Sequence, residues 1–411
     1  MVDFLLINSP IQAYTEHNRP KYSTTAPLGL GYLATIASNA GYQTELIDAE
    51  SEKMSLERII SEANSKKPKI VGINLFSTNY KIALEILANI DSPYKLAGGP
   101  HVTLDSLKIR SKEYTLVSGE ADERILEILQ KKPCGIINAG VVENLDNLPF
   151  INRKFFKNEP FESEFGPEVS VITSRGCNYN CIFCSNPVIA GRRVRSRSVD
   201  NIIKELRLIK STGVNSFHFV DDLFNYDKTK VLKLSEAISS IGTSNWRALC
   251  RTDLLDYALL EKMKSSGCYK LAFGVESGSP EILKYIGKNP DLKKTESIFS
   301  SCKKLEIKTK AFFTIGYPGE TSQQIEKTID FACKLNPDEV RFMVVRAFPG
   351  TRLYHDMVSN GVNEEDLCTY RQFSGDGVYI KYHVMNIHSL NKMSASKLNK
   401  YIKEAYRRTY K

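Results

Sequence analysis

Short apolar strands alternate with amphipathic helices along most of this chain, and that alternation limits its fold more than any other feature. Candidate strands are Phe4–Asn8, Thr44–Ile47, Ile70–Leu75, Tyr94–Ala97 and Tyr114–Val117. Helical periodicity falls between them near Gly29–Asn39, Leu56–Asn64, Tyr80–Asn89 and Asp122–Gln130. The pattern predicts an α/β domain over residues 1–140 built on a parallel, doubly wound sheet. Such sheets take ligands at the carboxyl ends of their strands. The loops there carry Ser9, Ser77, Gly98, Gly99, His101, Gly119 and Glu120. Residues 141–168 are richer in Asn, Pro and Phe, lack periodicity, and read as a linker. Alternation resumes at Val169–Thr173, Ser216–Val220, Trp246–Cys250, Lys270–Val275, Thr309–Ile315 and Glu339–Val345. Six βα repeats over residues 169–350 predict a partial (β/α)6 barrel, with its chemistry at the carboxyl ends of the strands. Residues 351–411 form a small C-terminal region, in which Ser394–Tyr406 reads as an exposed basic helix.

Charge and cysteine content narrow the function. The 411 residues carry 56 Lys+Arg and 47 Asp+Glu, a formal net charge of +9. Arg192, Arg193, Arg195 and Arg197 hold four of these charges. The tail from Asn391 to Lys411 has seven basic residues and one acid, so the rest of the chain is close to neutral. This is not the broad basic surface of a duplex binder. No stretch is apolar enough to span a membrane. Of nine cysteines, Cys134, Cys250, Cys268, Cys302, Cys333 and Cys368 are scattered and three crowd into eight residues. Clustered thiols without a secretory signal imply a metal site in a reducing cytoplasm.

Those three, Cys177, Cys181 and Cys184, form C-x-x-x-C-x-x-C directly after the first strand of the second block. Thiolates at this spacing suit three irons of a 4Fe-4S cluster. No fourth cysteine is near, so one iron is left open, as in a catalytic metal site. A zinc knuckle and plain buried cysteines are the alternatives. The next histidine, His218, lies well beyond the loop.

The loop, with aromatic Phe183 before its last cysteine, resembles the signature of the radical S-adenosylmethionine (SAM) enzymes. The resemblance implies that the open iron chelates the amino and carboxylate groups of SAM. Reduction of the cluster then cleaves SAM to a deoxyadenosyl radical. Further matches stand at successive strand ends. Phe217-His218-Phe219-Val220-Asp221-Asp222 offers Asp222 or Asp221 for the SAM amino group. Phe273-Gly274-Val275-Glu276-Ser277-Gly278-Ser279 offers Glu276, with Ser277, for the ribose or the amino-acid part. Phe313-Thr314-Ile315-Gly316-Tyr317-Pro318-Gly319-Glu320-Thr321 offers the backbone of Gly316, Pro318 and Gly319 for the adenine. Arg195, Arg197 and Arg251 are candidates for the SAM carboxylate, because arginine forks match carboxylates.

A doubly wound domain ahead of such a barrel resembles the subfamily with a cobalamin-binding N-terminus. Pro27-Leu28-Gly29-Leu30-Gly31-Tyr32, Ala97-Gly98-Gly99-Pro100-His101 and Ser118-Gly119-Glu120-Ala121-Asp122-Glu123 carry the match, which extends over residues 3–350. It implies cobalamin at Ser9, Ser77, Gly98, Gly99, Gly119 and Glu120. The D-x-H-x-x-G motif that supplies a histidine below cobalt elsewhere is absent, as is common in this subfamily. The implied activity is methylation of an unactivated carbon of a small molecule or peptide, one SAM methylating cobalt and a second yielding the radical. A flavodoxin or ferredoxin-type donor would supply the electron. The alternatives are a radical rearrangement, cyclisation, dehydration or redox step without methyl transfer, and a non-enzymatic metal-binding module. Tyr370, Tyr379 and Tyr382 could line a pocket, although packing is the plainer reading of them.

Overall fold

The computed structural model describes residues 2–11, 25–109, 113–289, 291–364 and 393–409. The chain forms two compact units that divide near Glu162 and Ser163. Cys368, Tyr370, Tyr379 and Tyr382 lie outside the described residues.

The first unit is a six-stranded parallel sheet in the order β2-β1-β3-β4-β5-β6. Its strands are β1 Phe4–Asn8, β2 Thr44–Asp48, β3 Ile70–Asn74, β4 Tyr94–Gly98, β5 Thr115–Ser118 and β6 Ile136–Asn138. Its helices are α1 Leu28–Asn39, α2 Leu56–Ser65, α3 Tyr80–Ala88, α4 Pro100–Asp105 and α5 Ile125–Lys131. β1 and β3 are buried along their whole length, as expected of strands covered on both faces. The chain runs from β1 outward to β2 and then returns to β3 on the other side, so strand order reverses between β1 and β3. That switch point is where an open α/β sheet leaves a crevice for a ligand. The sequence reading missed β6 and took α4 for a loop. Both are short, and α4 begins immediately after Gly99 with Pro100 as its first residue.

The second unit holds β7 Phe161–Ser163 at one edge, then β8 Gly166–Val171, a two-stranded ribbon of β9 Ser174–Arg175 with β10 Arg195–Ser196, and five further strands. These are β11 Ser216–Phe219, β12 Asn245–Cys250, β13 Cys268–Glu276, β14 Lys308–Ile315 and β15 Glu339–Val344. The large sheet has the order β15-β14-β13-β12-β11-β8-β7, with β8 and β11 to β15 parallel. The helices are α6 Asn186–Ile189, α7 Val199–Lys210, α8 Lys228–Ser240, α9 Tyr257–Ser265, α10 Pro280–Tyr285, α11 Leu292–Lys304, α12 Ser322–Leu335 and α13 Arg352–Ser359. Hydroxyl and carboxylate N-caps start them where the strand ends turn back: Ser198, Asp227, Asp256, Ser279, Asp291, Thr321 and Thr351. Each satisfies an amide that the first helical turn leaves open.

The two faces of this sheet differ. Trp246, Ala248, Cys250, Leu271, Phe273, Ala311 and Phe313 are buried in one apolar core with residues of the helices. The alternate residues carry charge. Arg247 forks onto Glu168 at 2.6–3.0 Å, and Tyr269 Oη donates to Glu168 at 2.7 Å. Lys270 and Lys310 share Glu339. A closed barrel packs its interior with branched apolar side chains; this open sheet does not.

The C-terminal helix Ala395–Thr409 corrects an expectation. It is not an exposed basic helix. Leu398, Ile402 and Ala405 are buried, Tyr406 Oη accepts from the Phe342 amide at 3.1 Å, and Arg408 pairs with Glu326 and Asp330 of α12. Its hydrophobic stripe docks on the last strand and α12, and Arg408 finds its partners there. Among the described residues no helix is long and apolar enough to cross a membrane.

One glycine is fixed by packing. A Cβ on Gly278 would lie 2.4 Å from the Lys327 carbonyl and 2.6 Å from Phe331 Cβ, so α12 rests directly on this backbone. Gly278→Ala is expected to lower stability by about 2 kcal/mol, within the range seen for overpacked cores. Urea unfolding checks this, and a midpoint equal to that of the unaltered protein would contradict it.

Candidate active site

Cys177, Cys181 and Cys184 occupy the loop that leaves β9, at the carboxyl end of the β8 segment. All three are free thiols, Cys181 buried and the others half-buried. Burial and the neighbouring thiols push Cys177 up, and push Cys184 up to about 11. A metal would displace these protons, as thiolate ligation requires. Among the described residues no trio of His, Cys, Asp or Glu is gathered about a single metal position. A cluster needs less convergence, because each thiolate takes a different iron. His218 does not complete a zinc site. Its Nε2 lies 3.4 Å from an Arg247 nitrogen, and burial with Arg247, Lys310 and Lys270 pushes it down to about 3.

The loop is braced on several sides. Ile182 N donates to the Ile286 carbonyl at 3.2 Å, and Leu353 N donates to the Ile182 carbonyl at 2.9 Å. Arg251 lies over the Tyr179 ring, 3.6 Å from its centroid. Its guanidinium is forked onto Asp253 at 2.7–2.9 Å, so it steadies the loop with its donors engaged. Phe183 leans toward buried Tyr317, with ring centroids 6.0 Å apart.

The two aspartates separate cleanly. Asp221 is buried and accepts from the amides of Thr173 and Ser174 and from both their hydroxyls. Its lone pairs hold the approach to the cysteine loop. Asp222 is exposed, accepts from the Gly176 amide at 2.8 Å, and acts electrostatically on Cys177 and Cys184. Arg197 is likewise engaged within the fold. It is buried and donates to Glu205 at 2.5 Å, Asn201 Oδ1 at 2.7 Å and the Ile172 carbonyl at 2.9 Å. Arg195 is buried within the ribbon, paired in register with Arg175.

The end of β13 holds a carboxylate in a constrained backbone conformation. Glu276 has φ +67°, left-handed for a non-glycine residue, and the β13–β14 register shifts beside it. Such strain persists only where surrounding contacts hold it. Lys288 Nζ donates to Glu276 Oε1 at 2.9 Å and to the Gly274 carbonyl at 2.6 Å, and Thr314 Oγ1 donates to Glu276 Oε2 at 3.0 Å. Ser277 packs behind Glu276. It is fully buried, with its hydroxyl 3.0 Å from Thr328 Oγ1.

At the end of β14 the chain folds back on itself. Glu320 Oε2 accepts from the amides of Gly316 at 2.5 Å and Tyr317 at 3.2 Å. Gly316 is buried, Pro318 half-buried and Gly319 exposed. Burial pushes the Glu320 carboxyl up to about 7.

In the first unit a buried polar network fixes the switch point. Asn8 Nδ2 donates to Asp48 at 2.6 Å and Asn74 Nδ2 donates to Asn8 Oδ1 at 2.7 Å. Ser9 Oγ donates to the Asn74 carbonyl at 2.6 Å, and Asn79 Nδ2 donates to Ser9 Oγ at 2.8 Å. Ser77 Oγ lies 3.0 Å from His101 Nδ1, and burial pushes His101 down to about 4, so the imidazole is neutral. Gly99 approaches the Leu75 backbone to 3.1 Å at its Cβ position, whereas Gly98 has ordinary contacts. Gly119 at φ +84° would drive a Cβ to 2.3 Å from the Gly140 carbonyl. Glu120 accepts from the Val142 amide at 2.9 Å. These last two tie the end of β5 to the segment after β6.

Sequence reading missed Lys288, Thr314, Asn74 and Asn79. A buried strand-end carboxylate demands a cation, but nothing in the spacing says that it arrives twelve residues later.

Glu320 generates a pH prediction. Its folded pKa lies above the unfolded value, so the stability it contributes relative to Glu320→Gln is greatest below about pH 4.5. It is lost as pH rises through about 7. The difference in urea midpoint between the two proteins, measured from pH 5 to 8, is expected to fall up to about pH 7 and then level off. A difference independent of pH would contradict this.

The family model described as radical SAM superfamily matches residues 171–332, and that described as B12 binding domain matches residues 21–129. An uncharacterized methyltransferase of Pyrococcus horikoshii is 30% identical over 371 residues, 83% of this chain and 80% of that protein. The cytidylyl-2-hydroxyethylphosphonate methyltransferase of Streptomyces wedmorensis is 25% identical, over 91% of this chain and 85% of that one. The solved radical SAM methyltransferase TsrM of Kitasatospora setae superposes with a TM-score of 0.67 at 17% identity, covering 87% of this chain and 78% of that chain. With its cysteine loop and strand ends arranged as described, this chain belongs to the radical SAM superfamily and carries a B12 binding domain.

Proposed function

We propose that this protein is a cobalamin-dependent radical SAM methyltransferase acting on an unactivated carbon. The observation that carries the reading is the cysteine loop set beside a strained carboxylate, Glu276, on the carboxyl edge of one parallel sheet. The donor set fits a 4Fe-4S cluster with one open iron, since three soft thiols lie on one braced loop. The first unit fits a corrinoid at its strand ends, where the network around Asn74 and Asn79 fixes the loops after β1 and β3. When bound, the cluster supplies the electron that breaks a carbon–sulfur bond of SAM, and the corrinoid supplies a methyl-carrying cobalt.

The residues of the chain position these groups. Asp222, exposed beside Cys177, is placed to accept from the SAM amino group. The backbone of Gly316 to Gly319, folded back by Glu320, offers an edge for the adenine. Glu276 is placed to accept from the ribose hydroxyls, aimed by Lys288 and Thr314. Arg195 and Arg251 flank the cysteine loop as fixed positive charge. The methyltransferases among the relatives support methyl transfer, and the substrate is read as a small molecule or peptide.

Anaerobic reconstitution with iron, sulfide and cobalamin, followed by product analysis, tests the reading. S-adenosylhomocysteine together with 5′-deoxyadenosine is expected. Deoxyadenosine alone would favour a radical step without methyl transfer. Cys181→Ala is expected to abolish SAM cleavage and the cluster absorbance; retention of either would overturn the site. Lys288→Met is expected to raise KM for SAM about tenfold, the equivalent of about 1.4 kcal/mol, with unchanged iron content, and Lys288→Arg is expected to restore part of it. An unchanged KM would remove Lys288 from the SAM site.

A further inference from the structure

Two adjacent residues of the C-terminal helix bracket the turn that follows β14. That turn runs from Gly316, next after Ile315, to Thr321, the cap of α12. Leu398 is fully buried. Its Cδ1 would lie 3.2 Å from a Cβ on Gly316, with its Cδ2 at 3.5 Å and Val344 Cγ1 at 3.3 Å. The leucine therefore rests directly on the backbone at the strand end. Lys397 Nζ donates to Ser322 Oγ at 2.9 Å, on the first residue of α12. Leu398 thus covers the start of the turn and Lys397 holds its end. Between them Glu320 accepts from the Gly316 and Tyr317 amides, while Gly319 is exposed.

The far end of the helix is an anchor. Tyr406 Oη accepts from the Phe342 amide at 3.1 Å, and the two rings meet edge to face with centroids 5.7 Å apart. Phe342 stacks in turn on Phe313 of β14, at 5.2 Å. Cys333 Sγ donates to the Arg408 carbonyl at 3.7 Å, and Arg408 pairs with Glu326 and Asp330. These contacts fix the helix to β15 and α12. Its first turn, where Ser394 Oγ accepts from the Lys397 amide at 3.2 Å, is the part that meets Gly316.

We infer that the first turn of the C-terminal helix positions the backbone edge that receives the adenine of SAM, with Leu398 as the positioning residue. The inference rests on the proposed SAM site at Gly316 to Gly319. Leu398 touches no reacting atom and acts through Gly316. Truncating a buried leucine leaves a cavity into which its neighbours partly relax. Backbone that relaxes away from its binding position holds the ligand less tightly. By linkage, a ligand that needs the seated helix must also favour that seating.

The test uses the full-length, cluster-loaded protein under anaerobic conditions. Calorimetry measures SAM binding, and hydrogen exchange reads the amides of Leu398, Asn399 and Lys400 with and without SAM. Leu398→Ala is expected to weaken SAM binding about fivefold, and to raise KM for SAM cleavage with little change in kcat. Iron content and cluster absorbance are expected to be unchanged. Leu398→Met, which conserves volume, is expected to restore most of the affinity. Ile402→Ala, one turn further along the same buried stripe, is expected to lower the urea midpoint comparably and leave SAM binding unchanged. In the unaltered protein SAM is expected to slow exchange at the three amides, a measurement that needs no variant. Equal SAM affinity in Leu398→Ala and the unaltered protein would overturn the inference. So would an equal weakening in Ile402→Ala, which would reduce the effect to lost stability, or exchange that SAM does not slow. Failure of the functional reading looks different: the unaltered, cluster-loaded protein would not bind SAM, and the inference would fall with that reading.

Discussion

A single buried carboxylate holds the entrance to the candidate site. Asp221, at the end of β11, gathers the amides and hydroxyls of Thr173 and Ser174, the two residues that lead from β8 into the cysteine loop. Burial pushes its carboxyl up, while Lys230 and the amides draw it back. Charge-assisted bonds to backbone amides are among the stronger ones a fold can make. The path of the loop toward Cys177 follows from this junction. Asp222 then takes the Gly176 amide from the same strand end, so two adjacent aspartates set the loop in place before any metal is bound.

A second junction connects the loop to the opposite side of the site. Ile286 receives the Ile182 amide, and a Cβ on Gly287 would lie 3.2 Å from the Asn180 carbonyl. The next residue, Lys288, reaches Glu276 and Gly274. One three-residue segment thus touches both the cysteine loop and the strained carboxylate. The Ile286 backbone makes the contact to the loop and the Lys288 side chain makes the contact to Glu276. The left-handed φ of Glu276 is the local cost of aiming a carboxylate off the end of a strand.

The order of the strands and the place of the cysteines were legible because both are local. Period-two and period-3.6 patterns are read from neighbouring residues, and the C-x-x-x-C-x-x-C spacing lies within one loop. Partnership across the sheet was not legible. Arg197 and Arg251 have the composition of ligand-binding arginines, yet Glu205 and Asp253 occupy them. Ser277 and Gly119 carry motif signals whose cause is the close approach of Thr328 and Gly140. The tail read as exposed because charge dominates its composition, although its apolar stripe of Leu398, Ile402 and Ala405 is buried. For Ser277, Gly119 and the tail the deciding neighbour lies on another element, at a separation that sequence spacing does not encode, whereas Asp253 stands only two residues from Arg251.

The central claim is that three cysteines hold a cluster whose remaining iron binds SAM directly. Electron–nuclear double resonance of the reduced, reconstituted protein with SAM labelled at its carboxylate with 17O tests it most directly. The account predicts a hyperfine coupling between the label and the cluster spin. A cluster signal that shows no coupling to the label, at SAM concentrations that saturate binding, would contradict it.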